Sequence, residues 1–427
     1  MPGNLSMPPD SRTWSAALLV MGSAMTVPWI PPAQAAPTYG SQSVTIPVYN
    51  TANGQFTGSP LIDVAFANGA GFDTSSRFTL DTGSTGIAVS TPIWNPMAAG
   101  ATLLGSGNLT YSSSGRVLNG AWYGASLQVG TGATTAQISV PVLYVTNITC
   151  ATDHRDCQAD SKPKDVSFFG VGFAREAGSQ ATGPDGKVAS IPANNPLLNI
   201  TALNGTAVTA STPLQPGSTG VIGNYTSGYI LTPGGLTLGL TAANTAAFPT
   251  LPLSWNDQTQ ASGFDSGYAD WNPVPVSLTV NGTAGVGSVL TDTGIDYMIV
   301  TPTPGTPVQT DGACLPGKDC LASGSTVALA IGSFASYGFT IGPSNGAPLQ
   351  PAPPAAPLYA VKADGTEVFV NTGYSFFNQY NYLYDYVNGQ VGYATQVPGP
   401  LPVVGGPAAF LWSRRLRRRL KPQGKGG

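Results

Sequence analysis

Charged side chains are scarce in this 427-residue chain: Asp, Glu, Lys and Arg together make up 9%, where an average soluble domain carries about a quarter. Histidine is scarcer still, occurring once, at His154. A single imidazole excludes most zinc sites and nearly every nucleophile that works with a histidine base. The middle of the chain is short of positive charge. Between residues 36 and 412, nine Lys and Arg stand against 19 Asp and Glu, a balance that disfavours nucleic acid as a partner. Residues suited to long helices are also few, because 54 Gly and 38 Pro interrupt the sequence throughout. Helix interiors tolerate neither, turns between short strands use both, and the abundant Thr, Val and Tyr suit a pleated surface. The expected class is all-β, with more than one lobe at this length.

Both ends read as processing signals. An apolar stretch from Trp14 to Ile30 follows Arg12, and Ala33-Gln34-Ala35 is a small-residue pattern that signal peptidase accepts. Residues 1–35 are therefore expected to be a signal peptide on an exported chain. The short run from Ala36 to the first strand-like segment, Val44 to Val48, leaves no room for a basic inhibitory prosegment. At the other end, Val397-Pro398-Gly399-Pro400 opens an uncharged run to Trp412, and seven of the 17 basic residues lie between Arg414 and Lys425. Such a run is short for a spanning helix but suits a transient stop closed by positive charge. The arrangement resembles the PEP-CTERM type of tail, with Gly399 in place of the usual Glu. That resemblance implies a sorting tail over residues 397–427, transient membrane association, an exosortase-type processing enzyme as a partner beside signal peptidase, and a bacterial envelope, surface or extracellular location.

The four cysteines fall as two local pairs, Cys150 with Cys157 and Cys314 with Cys320. Neither has C-x-x-C spacing, so in an exported chain each pair reads as a small disulfide loop rather than a metal site, with other pairings left open. The chemical signal is a repeated triplet. Asp81-Thr82-Gly83 ends the apolar run Phe78-Thr79-Leu80, and Asp292-Thr293-Gly294 follows Val289-Leu290-Thr291 in the same way, 211 residues later. Composition alone yields about 0.24 such triplets in a chain like this, so two copies at strand ends are a pattern. Gly permits the tight turn that exposes the Asp, and the Thr hydroxyl can join a network fixing two facing loops.

With these triplets the chain resembles the pepsin-like aspartic peptidases over most of residues 45 to 396. Leu109-Thr110-Tyr111-Ser112-Ser113-Ser114-Gly115 is similar to the family's flap hairpin, with Tyr111 at the flap tyrosine. Ser167-Phe168-Phe169-Gly170-Val171-Gly172-Phe173 resembles the apolar-apolar-Gly element beneath the first catalytic loop. Val276 to Gly282 resembles the strand and Asn-Gly turn leading to the second triplet. Residues 228 to 254 resemble the crossover between lobes, and Gly373 through Ala394 resembles the terminal segment.

The resemblance implies a bilobal fold of two antiparallel β lobes, residues 36–245 and 246–396, with a cleft between them. It implies an aspartic endopeptidase that cleaves a polypeptide held in that cleft, working as a monomer without metal or organic cofactor. Asp81 and Asp292 would activate one water between them, as in pepsin, with Thr82, Gly83, Ser84, Thr293 and Gly294 supporting the pair and Tyr111 closing over substrate. Three positions depart from the family. Ile295 stands where a hydroxyl normally supports the second carboxylate, so that support is expected to be missing. Asn371-Thr372-Gly373 replaces the second apolar-apolar-Gly element, and Ala88 replaces a Trp that buttresses the flap. These departures raise a second expectation, a catalytically weak or inactive pepsin-like binding module on the envelope surface.

Overall fold

The computed structural model describes residues 37–396 except 70, 152–156, 176–179, 185, 187, 214–220, 257–269, 316 and 345. The signal-peptide expectation on 1–35, the sorting-tail expectation on 397–427 and the single histidine lie outside the described residues.

The described residues are all-β, as the chain's Gly, Pro and β-branched content predicts. Among the described residues the longest α-helix is Ala242–Thr245, four residues started by a capping box from Thr241. An eleven-stranded sheet collects strands between Tyr49 and Ala207, and a nine-stranded sheet collects strands between Val274 and Asn371. A six-stranded sheet takes strands from the start, middle and end of the described chain, in the order Val44–Ile46, Gly235–Leu238, Gly228–Thr232, Tyr380–Asp385, Gln390–Thr395 and Thr250–Pro252.

The strands follow period-two burial. In Val274–Val280 the side chains of Val274, Val276, Leu278 and Val280 are buried, while Pro275 and Ser277 face solvent. Pro275 sits where this strand has a neighbour on one side only, since pairing with Thr326–Ile331 begins at Ser277, so no ladder bond is lost to its missing N–H. Asn281 and Gly282 then turn the chain with φ of 50° and 80°, the left-handed pair a tight hairpin requires, into Thr283–Leu290.

The same topology occurs twice. Ser76–Asp81 runs parallel to Ser167–Val171, which also pairs antiparallel with Thr85–Val89. Thr283–Leu290 runs parallel to Val368–Asn371, which pairs antiparallel with Met298–Thr301. In each half, therefore, a late strand threads between the two strands that flank an Asp-Thr-Gly turn. Gly170 lies under the first turn, where an added Cβ would come 2.6 Å from Ser84 Oγ, so only glycine fits beneath the loop. Gly373 holds the equivalent place in the second half with φ of 64°.

Beneath these turns the terminal segment packs an aromatic core: Phe376, Phe377, Tyr382 and Tyr393 are buried, with edge-to-face contacts between Phe376 and both Phe377 and Tyr393.

Both cysteine pairs form local disulfides, Cys150–Cys157 and Cys314–Cys320. Their sequence separations of 7 and 6 close short loops, each worth about 2 kcal/mol by chain entropy. Reduction is therefore expected to lower the melting temperature modestly and leave the near-ultraviolet signature of the aromatic core intact at 25 °C. Loss of that signature on reduction would show that the bridges hold the lobes rather than their loops.

Candidate active site

Asp81 ends one strand of the first half and Asp292 follows one strand of the second, and the two turns meet. Thr82 Oγ1 donates to Thr291 O at 2.6 Å and accepts from Thr293 N at 3.0 Å. Thr293 Oγ1 donates to Leu80 O at 2.5 Å and accepts from Thr82 N at 3.0 Å. Each threonine thus donates to a carbonyl and accepts from an amide of the opposite turn. The residues are buried, so these bonds are made away from competing water.

The interlock brings the carboxyl groups within interaction range of each other, in a cavity of about 520 Å³. Asp81 Oδ1 accepts Gly83 N at 2.7 Å, and its Oδ2 accepts Ser84 Oγ at 2.5 Å. Asp292 Oδ1 accepts Gly294 N at 2.6 Å, and its Oδ2 accepts the Asn371 amide Nδ2 at 2.5 Å. The two glycines leave room for the pair. A Cβ on Gly83 would collide with the Asp292 carboxyl, and one on Gly294 would lie 2.6 Å from Asp81 Oδ1.

This geometry corrects the expectation drawn from Ile295. The hydroxyl absent from position 295 is replaced by the amide of Asn371, which reaches Asp292 from the threading strand. Register explains the reach: Asn371 pairs with Leu290, two residues before the carboxylate. By the same register in the first half, the residue matching Asn371 is Phe168, which pairs with Thr79, two residues before Asp81. Positions 295 and 371 are thus complementary: the carboxylate without a hydroxyl donor at 295 has an amide donor from the neighbouring strand. Sequence inspection could have paired them, since an apolar residue gained at 295 and a polar residue gained at 371 are complementary changes.

Burial, and then the charge of Asp292, raises the Asp81 carboxyl from its usual 3.8 to about 7, and the Ser84 and Gly83 hydrogen bonds offset part of that rise. Gln180, which sequence reading did not single out, steadies the first turn: its amide nitrogen donates to Gly83 O at 3.3 Å and its oxygen accepts Thr85 N at 3.3 Å.

Tyr111 sits at the end of Thr102–Tyr111, and the turn after it leads into Arg116–Thr131. Its ring tilts against Phe168 at 4.8 Å, and burial followed by the charge of Asp81 raises its phenol above the usual value. Phe168 pairs with Ala88 across the ladder, so an aromatic ring beside a small residue backs the tyrosine. Across the cavity, Tyr297 donates its hydroxyl to Ser113 O at 3.0 Å and so ties the hairpin tip to the second half. Among the described residues no group of His, Cys, Asp and Glu forms a metal cluster.

No family model matches the chain, and no curated protein matches it. Among solved structures, an aspartic proteinase from Irpex lacteus is similar over 83% of this chain and 98% of that one, at 14% identity and a TM-score of 0.47. A likeness of that size leaves the reading of the site to the site's own geometry.

Proposed function

We propose that the chain is an exported pepsin-like aspartic endopeptidase, with Asp81 and Asp292 as its catalytic pair. The observation carrying this reading is the matched environment of two interacting carboxyl groups. Each begins an equivalent turn, each accepts a glycine N–H on Oδ1 and a side-chain donor on Oδ2, and both face one cavity. Two such groups cannot both ionise cheaply, so they share one proton, and the titration belongs to the pair.

A water held between them would lose a proton to the ionised carboxylate as its oxygen attacks the scissile carbonyl carbon. The protonated partner gives its proton to the carbonyl oxygen. Collapse of the resulting diol returns that proton to the carboxylate and passes the other to the leaving amine, which restores the starting state. The remaining parts follow from the same reading: lobes meeting near residue 245 across a shared sheet, Tyr111 over bound substrate, a signal peptide removed by signal peptidase, and a tail from 397 that directs envelope sorting. Against the binding-module alternative, which the departures at Ile295, Asn371-Thr372 and Ala88 raise, stands the donor that Asn371 supplies to Asp292 in place of the one Ile295 lacks.

The test is digestion of denatured protein from pH 3 to 7, with and without a statine-type inhibitor. Cleavage should extend toward neutral pH, because burial and the charge of Asp292 raise the Asp81 carboxyl to about 7 and the pair so keeps its shared proton toward neutrality, and the inhibitor should stop it. A purified full chain that cleaves nothing across this range would overturn the peptidase reading.

A further inference from the structure

The two carboxylates differ in the kind of donor behind them. Ser84 is a hydroxyl, able to donate to an ionised Asp81 or to turn and accept from a protonated one. Asn371 offers Asp292 only an NH2 group, which donates and never accepts. Its orientation is fixed by chemistry on the other side, since its Oδ1 accepts Gly373 N at 3.1 Å. Turning the amide over would set its oxygen against the carboxylate and its NH2 against an N–H. Asp292 Oδ2 is therefore held as an acceptor, and a proton on this carboxyl would have to sit on Oδ1, which already accepts Gly294 N at 2.6 Å, so the donors on both oxygens favour the ionised form.

We infer that Asn371 is a positioning residue that fixes the charge asymmetry of the pair, making Asp292 the ionised member that takes the proton from water and Asp81 the protonated member that polarises the carbonyl. This rests on the peptidase reading for its consequence and on the donor geometry for its cause. The raised Asp81 carboxyl agrees with it, burial being the larger reason and the neighbouring charge of Asp292 the second.

The assignment separates the two limbs of the pH–rate profile of kcat/KM. On the acid limb the pair passes from two protons to one, and the proton leaving is that of Asp292. On the alkaline limb the last proton leaves, from Asp81. Asn371→Ala removes a donor from Asp292 alone, which is ionised both before and after the alkaline step. The acid limb should rise by about one pH unit, the size expected for losing a hydrogen bond to a charged group, and the alkaline limb should stay. Ser84→Ala should do the reverse.

Ile295→Thr restores a hydroxyl at the place that Ser84 holds relative to Asp81. It should change little in the native background, where Asp292 Oδ2 already has its donor, and should return the acid limb of Asn371→Ala to its native position. Asn371→Leu, closer to the native shape, serves if the alanine variant does not fold.

The same limbs can be read without turnover, by infrared titration of the full chain as a difference against Asp292→Asn. A native chain that titrates as described but cleaves nothing would end the peptidase reading and keep the charge assignment. An alkaline limb that moves in Asn371→Ala, equal movement of both limbs, or none, would overturn the assignment. So would an acid-limb shift that Ile295→Thr does not reverse, since the amide would then act through loop shape and not as a donor.

Discussion

Asp81→Asn should abolish cleavage and, at neutral pH, leave a more stable protein than the native chain. The loss of turnover, on the order of 10³-fold or more, follows from removing one of two groups that must exchange protons with water, carbonyl and amine in turn. The gain in stability follows from where the carboxyl ionises. In the folded chain that happens near pH 7, against an ordinary value of 3.8. Well below pH 3.8 the group is protonated in folded and unfolded chains alike, so its burial carries no ionisation penalty. As pH rises from there toward 7, the unfolded chain alone sheds the proton, and the native fold loses stability through the whole interval. An amide cannot ionise, so the variant escapes that loss.

The difference between variant and native protein should be small at pH 4 and on the order of 2 kcal/mol at pH 7.5, each unit of displacement being worth about 1.4 kcal/mol and the partner carboxylate sharing the effect. Asp385, buried and raised to about 6 chiefly by that burial, slopes both proteins alike and cancels in the comparison. Urea denaturation at the two pH values checks the claim. A gap that did not widen with pH would mean that Asp81 is not the group opposing neutral-pH stability, and native turnover in Asp81→Asn would end its catalytic role.

Much of this arrangement was legible in the residues because its cause is local. Gly and Pro content ruled out long helices, period-two alternation marked strands such as Val274–Val280, and Asn281-Gly282 marked its turn. The two triplets announced the turns because the requirements on them, a sharp bend and an exposed carboxylate, act within three residues. What could not be read locally was the donor to Asp292. Asn371 lies 79 residues from it and reaches it only through the parallel register of Val368–Asn371 with Thr283–Leu290, a pairing set by the whole lobe. Considering Ile295 by itself therefore gave a damaged site, where the fold gives a substituted one. The clasp from Tyr297 to Ser113 was hidden for the same reason, since its partners come from opposite halves.

Thr82→Val and Thr293→Val should each destabilise the fold by about 2–4 kcal/mol, although valine keeps the shape of threonine. The reason is the reciprocity of the interlock. Valine at 82 leaves Thr293 N and Thr291 O without partners, and valine at 293 leaves Thr82 N and Leu80 O in the same state. Each stranded buried group costs about 1–3 kcal/mol. The two hydroxyls lie 3.3 Å apart, close enough that the double variant should depart from additivity by 0.5 kcal/mol or more.

Thr85→Val supplies the contrast. Its hydroxyl donates to Gly172 O at 2.8 Å within the first half, so its loss strands one carbonyl and leaves the two turns joined. The distinction appears in turnover. Loosening the interlock lets the carboxylates drift relative to one another, and a displacement of about 1 Å at a reacting centre costs roughly 10²-fold in rate. Thr82→Val should therefore lose both stability and rate, whereas Thr85→Val should lose some stability and little rate. If the two variants proved equally active, the carboxyl pair would be held by the strands beneath it, and the crossed threonines would be a stabilising contact with no part in placing the site.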